Sequence, residues 1–283
     1  MEYLTLIKPA ELITHVGDPN WAIIDCRFTL GDEERGRKDY LKSHIPGAVY
    51  AHLNDDLCGP MIQGITGRHP LPTIDQLQQR FSSWGIDASV QVVAYDDWPA
   101  IGLATAARLW WLLRWLGHAS VAVLDGGWTE WISSNLPTRS GLETRTVRKF
   151  YAVERPELLA GSNDIDKMRL DANSLVIDSR SADRYRGENE TIDPVAGHIP
   201  GAKSMPYSDV LAPSGSFLSK RELEAHFRRS IVDIPASNVA FYCGSGVTAA
   251  VNVLAIAHAG LGEARLYVGS WSEWITDPKR AVE

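Results

Sequence analysis

The chain has 283 residues, of which 45% are hydrophobic and 22% are charged, enough for one large globular domain or two of ordinary size. Its formal net charge is −7, so the composition does not indicate the basic surface that binds nucleic acid. No apolar run approaches the ~20 residues of a membrane-spanning helix, and the N-terminal segment MEYLTLIKPA has no features of a secretory signal. We therefore expect a cytoplasmic protein without nucleic-acid or membrane partners.

Short β-branched segments alternate with helical segments along the chain, and the alternation occurs twice. In chain order the predicted strands are AIID, QVVAY and VAVLD in the first half, and LVID, NVAFY and ARLYV in the second. The clearest predicted helices are ATAARLWWLLRWLG (104–117) and VTAAVNVLAIAHAG (247–260). This alternation is typical of an α/β fold in which a mainly parallel sheet is flanked by helices on both faces.

Four short motifs are repeated in the two halves in the same order. The pairs are AIIDCR with LVIDSR, SHIPGA with GHIPGA, VVAYD with VAFYC, and GGWTEW with GSWSEW. Equivalent positions lie between 143 and 154 residues apart, which indicates two duplicated domains rather than a solenoid of short repeats. We predict a first domain over 1–138, a linker over 139–161 and a second domain over 162–283.

The three cysteines, Cys26, Cys58 and Cys243, do not form a C-x-x-C motif, and an odd number cannot all pair. A disulfide framework or a zinc site is therefore not expected, and reduced thiols agree with a cytoplasmic location. The functional question is which of the three thiols is reactive.

Cys243 follows a predicted strand, at the edge where open α/β sheets bind their ligands. The loop after it consists of small residues, and its two glycines let backbone N–H groups turn inward at the start of a helix. Such a nest of N–H groups stabilises an anion, which favours a nucleophilic thiolate at Cys243. The alternative is that Cys243 is only a small buried apolar residue. The loop residues expected to bind the substrate are Gly244, Gly246, Val247 and Thr248.

The first copy differs at the position that matches Cys243, where it has Asp96 and a longer segment after it. We expect this copy to lack the anion cradle and to be non-catalytic. No neighbouring feature would activate Cys26 or Cys58, and His44 and His198 occupy the same turn in both copies. Structural roles are therefore expected for all four of these residues.

The two HIPGA turns, the GGWTEW and GSWSEW motifs and the single cysteine loop resemble the tandem-domain rhodanese sulfurtransferases over essentially the whole chain. The resemblance implies two rhodanese-like domains and a double-displacement reaction. In that reaction Cys243 would take a sulfane sulfur from a donor, form a persulfide and pass the sulfur to a thiophilic acceptor. The acceptor would be a small thiol, a thioredoxin-like protein or cyanide. The resemblance implies no metal and no organic cofactor.

The loop CGSGVT resembles that of the 3-mercaptopyruvate sulfurtransferases, since thiosulfate-using members more often carry basic residues there. The resemblance implies a Ser-His-Asp set that assists the reaction; Ser245 and His69 match two of its members, and Asn54 stands at the third position. It also implies that Arg184, with Arg186 two residues on, binds the donor, because the fork of an arginine donates two parallel hydrogen bonds to a carboxylate.

The sequence departs from the family pattern in the segment TIDPVAGH, which lacks the second arginine that typical 3-mercaptopyruvate enzymes carry in a Glu-Pro-Arg context. The neutral cysteine loop favours 3-mercaptopyruvate as the donor, whereas the missing arginine keeps thiosulfate as the alternative for the same cysteine.

Functions of other classes use similar features. Tyrosine phosphatase loops follow C-x5-R, but the residue six positions after Cys243 is Ala249, so the arginine clamp for phosphate is missing. A thiol-based redox sensor is a further alternative because an activated thiolate is also oxidisable. The sequence, however, does not identify a second cysteine that would form a disulfide with the oxidised one. The last alternative is a non-catalytic binding module, since many rhodanese-like domains lack the cysteine.

Overall fold

The structure, a computed structural model, describes residues 2–97 and 103–283. The chain divides into two compact units, each built from three stretches of sequence. The first unit comprises the residues up to Cys58 together with 72–155 and 213–217, and the second comprises 59–71, 156–212 and 218–283.

This division differs from the domain limits predicted from the sequence. Residues 59–71 pack with the second unit, and 213–217 and most of the expected linker pack with the first. These segments lie mainly in loops, whose packing partners leave no periodic pattern in the sequence. The expected linker also contains Leu159–Ala160, a two-residue strand at the edge of the second sheet.

The first unit contains a five-stranded sheet with the strand order β1-β5-β4-β2-β3, and every neighbouring pair is parallel. Its strands are β1 (Leu6–Ile7), β2 (Trp21–Asp25), β3 (Val49–Tyr50), β4 (Gln91–Tyr95) and β5 (Val121–Leu124). Its helices are α1 (Pro9–Leu12), α2 (Arg35–Lys42), α3 (Leu53–Asp56), α4 (Ile74–Ser83), α5 (Ala104–Trp115) and α6 (Gly127–Ser133).

The second unit has the same topology, with the strand order β6-β10-β9-β7-β8 and parallel pairs throughout. Its strands are β6 (Leu159–Ala160), β7 (Leu175–Asp178), β8 (Lys203–Ser204), β9 (Val239–Tyr242) and β10 (Arg265–Tyr267). Its helices are α7 (Ser162–Met168), α8 (Ala182–Tyr185), α9 (Lys220–Arg228), α10 (Ala249–His258) and α11 (Ser270–Trp274).

The predicted fold class is confirmed: both units are α/β, with a parallel sheet flanked by helices. All residues of β4 and β9 are buried, which explains why these strands are mainly apolar and do not alternate between apolar and polar residues. The helices α5 and α10 are also buried over most of their length. No helix among the described residues is long and apolar enough to cross a bilayer.

The repeated motifs build the same buried cluster in each unit. In the second unit, Arg180 forms an ion pair with Asp178 at 2.6 Å and lies over the ring of Trp271, 4.9 Å from its centroid. The equivalent residues of the first unit are Asp25, Arg27 and Trp128. The IDCR and IDSR motifs are therefore structural, since each binds the tryptophan motif of its own unit.

The histidines of the HIPGA turns also make equivalent contacts in both units. Nδ1 of His44 lies 2.7 Å from the carbonyl oxygen of Tyr40, and Nδ1 of His198 lies 2.8 Å from that of Tyr185. Each imidazole stacks on the ring of the same tyrosine. These contacts agree with the structural role expected for both histidines.

Candidate active site

Cys243 directly follows β9, which lies between β7 and β10 in the second sheet. The loop over 243–248 then leads into α10, which begins at Ala249. The side chain of Val247 is buried, and Thr248 is half-buried at the start of the helix. The cysteine is therefore at the carboxyl edge of a parallel sheet, where the sequence predicts it.

The thiol of Cys243 accepts a backbone hydrogen bond, since the N–H of Gly246 donates to Sγ at 3.2 Å. Gly246 has a φ of +75°, and a Cβ atom there would overlap the carbonyl oxygen of Val268, so only glycine fits without strain. Cys243 is only 2% exposed. A bent loop and a helix start thus direct an N–H group at the sulfur, as expected for an anion cradle.

The GSWSEW motif holds the cysteine loop in place. The N–H of Cys243 donates to Oγ of Ser270 at 3.1 Å, and the N–H groups of Trp271 and Ser272 donate to the carbonyls of Cys243 and Gly244, both at 3.0 Å. Ser270 is fully buried with a φ of +55°, a conformation that is costly for a non-glycine residue. Sequence reasoning identified this motif as a family mark but not as the support of the loop.

Ser245 and His69 come together, as the resemblance implies, with Oγ of Ser245 2.8 Å from Nδ1 of His69. His69 belongs to the 59–71 segment of the second unit. That segment is held by a hydrogen bond from the N–H of Arg68 to Oγ of Ser272 at 3.1 Å. Asn54, which stands at the third position of the expected set, lies in α3 of the first unit.

Two guanidinium groups lie against Gly244, next to the cysteine. A Cβ atom placed on Gly244 would lie 2.8 Å from Nη2 of Arg68, and 3.5 and 3.6 Å from Nη2 and Nη1 of Arg184. The cysteine loop itself is neutral, as the sequence shows, but positive charge reaches it from two distant segments. Arg184 was predicted at this position, whereas Arg68 was missed although it directly precedes His69 in GRHPLP.

Buried carboxylates balance these two arginines. Asp193 contacts Nη1 of Arg68 through Oδ1, and its Oδ2 accepts from Nη2 of Arg184 at 3.1 Å. Glu190 accepts from Nε and Nη2 of Arg184 at 3.0 and 2.9 Å. Burial raises the pKa of Asp193, and Arg68 opposes the shift. Burial also raises the pKa of Glu190, but hydrogen bonds from backbone N–H groups and from Arg184 lower it by more, so its pKa is below the usual value.

Arg186, the second arginine predicted to bind substrate, is engaged elsewhere. Its guanidinium forms a bidentate pair with Glu188, with N–O distances of 2.8 and 2.7 Å, and both side chains are more than half exposed. Gly244 is contacted by Arg184 and Arg68 instead. A role for Arg186 in binding the donor remains a prediction.

In the first unit, Asp96 follows β4 as Cys243 follows β9. The expectation that this copy lacks an anion cradle needs correction, because the backbone N–H groups of Asp97, Thr105 and Ala106 donate to the Asp96 carboxylate at 2.8, 2.9 and 3.4 Å. The backbone N–H groups there therefore bind a carboxyl group that is part of the chain itself. Much of the longer loop lies at 98–102, outside the described residues.

The other two cysteines are in unreactive surroundings. Cys26 is fully buried, and desolvation together with the nearby Asp96 and Asp25 carboxylates raises the pKa of its thiol well above the usual value. Burial raises the pKa of Cys58 to about 11. Cys58, which lies in a Gly-Pro loop, is 9% exposed. Both environments oppose thiolate formation, in agreement with the structural roles expected.

Comparison with known proteins places this geometry in a family. The model of the rhodanese-like domain matches residues 8–134 and 162–277. The chain is 41% identical over 283 residues to the "Probable 3-mercaptopyruvate sulfurtransferase" of Pseudomonas aeruginosa, covering 100% of this chain and 99% of that protein. It is also 41% identical over 281 residues to the "Putative thiosulfate sulfurtransferase SseB" of Mycobacterium tuberculosis, covering 98% of this chain and 96% of that protein.

A solved structure agrees with these sequence matches. SseA from Escherichia coli, described under the rhodanese fold, is similar with a TM-score of 0.82 and 31% identity, covering 96% of this chain and 100% of that one. The two relatives carry different sulfur donors in their names. The chain therefore belongs to the rhodanese family, with two rhodanese-like domains in tandem.

Proposed function

We propose that this sulfurtransferase takes its sulfur from 3-mercaptopyruvate and carries it as a persulfide on Cys243. The observation that carries the proposal is the hydrogen bond from the N–H of Gly246 to Sγ of Cys243, with two guanidinium groups against the adjacent Gly244. A donor that bears a thiol and a carboxylate a few bonds apart is the chemistry that fits this pairing.

The first half-reaction is a displacement at sulfur. The Cys243 thiolate attacks the donor sulfur, the C–S bond breaks, and the electron pair of that bond moves to the donor carbon as the enolate of pyruvate. A proton then reaches that carbon to form pyruvate, while the donor's thiol proton leaves the new persulfide, so the half-reaction consumes no net proton. The persulfide anion remains beside the N–H donor of Gly246.

Ser245 and His69 are the groups proposed to move this proton. Their Oγ–Nδ1 distance of 2.8 Å is within hydrogen-bond reach, and a serine hydroxyl beside an imidazole is a pair of groups that can pass a proton. In the second half-reaction a thiophilic acceptor attacks the outer sulfur, the S–S bond breaks and the Cys243 thiolate is restored. The acceptor is proposed to be a small thiol, a thioredoxin-like protein or cyanide.

Thiosulfate is the alternative donor, and the SseB relative at 41% identity favours it. The charge balance of the arginine and carboxylate cluster that reaches Gly244 supports the monoanionic donor instead. The cluster contains three arginines and three carboxylates. The arginines are Arg68, Arg180 and Arg184, and two of the carboxylates are Glu190 and Asp193. Asp178, which binds Arg180, is the third. Such a neutral set provides little excess charge for a dianion.

A cytoplasmic location also belongs to this proposal, and it is supported by the three cysteines, all of which are free thiols in the structure.

The test is sulfur transfer to cyanide with 3-mercaptopyruvate and thiosulfate assayed in parallel, and the ratio of the two kcat/KM values defines the preference. We expect the ratio to favour 3-mercaptopyruvate, and a ratio favouring thiosulfate would reject the donor assignment. Cys243→Ser should abolish transfer and also the mass increase of one sulfur atom seen after donor treatment. Cys58→Ser is the matched control, since its thiol is buried and its pKa is raised, and it should retain full activity.

A further inference from the structure

Arg68 and Arg184 present unused hydrogen-bond donors at the same place. Nη2 of Arg68 and Nη1 of Arg184 have no hydrogen-bond partner among the residues that the structure describes. Both lie beside the position that a Cβ atom of Gly244 would occupy, and they are at most about 6.4 Å apart. One carboxylate can bridge such a span, because each of its oxygens accepts at about 2.8 Å.

Nη1 of Arg68 and both Nε and Nη2 of Arg184 are bound to carboxylates of the protein. Asp193 bridges the two side chains with one oxygen each, and Glu190 binds Arg184 from the other side. The Asp193 side chain is only 2% exposed, whereas those of Arg68 and Arg184 are 29% and 17% exposed. The two guanidiniums are therefore oriented from the buried side and remain accessible from the open side.

The backbone of Arg68 is equally well fixed. Its N–H donates to Oγ of Ser272, whose own N–H binds the carbonyl of Gly244. The preceding Gly67 lies so close to the carbonyl of Gly269 that a Cβ atom there would overlap it. The side chain of Arg68 is thus held in register with the cysteine loop by the same serine that anchors the loop.

We propose that Arg68 is the second guanidinium that binds the carboxylate of the sulfur donor, beside Arg184. The inference rests on the proposed use of 3-mercaptopyruvate. It explains how the site can have two arginines although the segment TIDPVAGH, which contains Asp193, lacks the second arginine of the family pattern. The second positive charge comes from residue 68 instead, and Asp193 holds it next to Arg184.

The test compares two donors that differ only in the carboxylate. Mercaptoacetone has the thiol and ketone of 3-mercaptopyruvate but a methyl group in place of the carboxylate. For Arg68→Met we expect kcat/KM with 3-mercaptopyruvate to fall about 10- to 100-fold, mainly through KM, as for loss of a hydrogen bond to a charged group. With mercaptoacetone, kcat/KM should stay within about twofold of the wild type.

Two further variants separate charge from general damage. Arg68→Lys keeps the charge but loses the planar fork, so it should recover part of the loss with 3-mercaptopyruvate. Arg228→Met removes an exposed arginine that is paired with Glu224 on α9 and should leave both donors unchanged. Equal losses on both donors for Arg68→Met, or no loss on either, would overturn the inference.

A binding measurement distinguishes failure of this inference from failure of the proposed function. Pyruvate, which has the carboxylate but no thiol, is titrated into Cys243→Ser and into Cys243→Ser with Arg68→Met, and the affinity is followed by NMR. We expect binding to weaken at least about tenfold in the second protein. An unchanged affinity rejects the role of Arg68. If the wild type transfers no sulfur from 3-mercaptopyruvate while pyruvate binding still depends on Arg68, the donor assignment fails and the carboxylate site stands.

Discussion

Replacing Gly246 by alanine tests the cradle around Cys243 most directly. The N–H of Gly246 donates to Sγ of Cys243 at 3.2 Å, and its φ is +75°. A Cβ atom there would overlap the carbonyl oxygen of Val268 and would lie 2.8 and 2.9 Å from its Cα and carbonyl carbon. These are backbone atoms next to β10, so they cannot move aside as the end of a flexible side chain can.

The expected loss of stability has two parts. The left-handed conformation costs an alanine about 1 kcal/mol relative to glycine, and forcing a backbone shift in a packed region costs about 1–3 kcal/mol. Gly246→Ala should therefore lower the free energy of unfolding by about 2–4 kcal/mol. Gly260→Ala is the matched control, because Gly260 has a φ of +79° with nothing within 4 Å of an added Cβ, so only the first part applies.

Both free energies are measured by urea denaturation followed by circular dichroism, and persulfide formation is measured in a single turnover with excess 3-mercaptopyruvate. We expect persulfide formation to slow about 100-fold in Gly246→Ala, the scale of losing one donor to a reacting anion. Gly260→Ala should form the persulfide at the wild-type rate. If the two variants lose equal stability and react equally fast, the close packing of Gly246 and its role at the sulfur are both refuted.

Three other variants test the roles of charged residues outside the cysteine loop. Burial raises the pKa of Asp96 to about 7, so its carboxyl holds a proton in the folded protein at pH values where the unfolded chain has lost it, and stability falls as pH rises through this range. Between about pH 5 and 8 the free energy of unfolding of the wild type should fall by about 3 kcal/mol relative to Asp96→Asn; a constant difference in urea denaturation would contradict this. Arg180→Met leaves the Asp178 carboxylate buried without its ion pair and should lower the free energy of unfolding by about 3–5 kcal/mol, whereas a loss under about 1 kcal/mol would mean that the carboxylate is otherwise satisfied. Arg186→Met removes only the exposed pair with Glu188, so kcat/KM with 3-mercaptopyruvate should stay within about twofold, and a tenfold loss would return Arg186 to the donor site.

Features that depend on residues close together in the sequence could be predicted from the sequence. The duplicated motifs, the buried strands and the position of Cys243 between a strand and a helix each depend on residues that are neighbours in sequence. Apolar runs predict strands buried on both faces because they report the burial of a local segment. The pairing of Ser245 with His69 was also predicted, but only through the family resemblance, since the two residues are 176 positions apart.

The sequence by itself determined two α/β units, one reactive cysteine and a glycine loop around it, because these follow from patterns that repeat over a few residues. Only the tertiary structure decided how the charges meet beside that loop. Arg68 and Asp193 are 125 positions apart, and their contact depends on the packing of the 59–71 segment with the second unit. The same holds for the first copy. The sequence shows that Asp96 takes the position of the cysteine, but only the structure shows which backbone N–H groups donate to its carboxyl group. Long-range contacts leave no period in the sequence, so the second arginine of the site was found only where the fold brings it to Gly244.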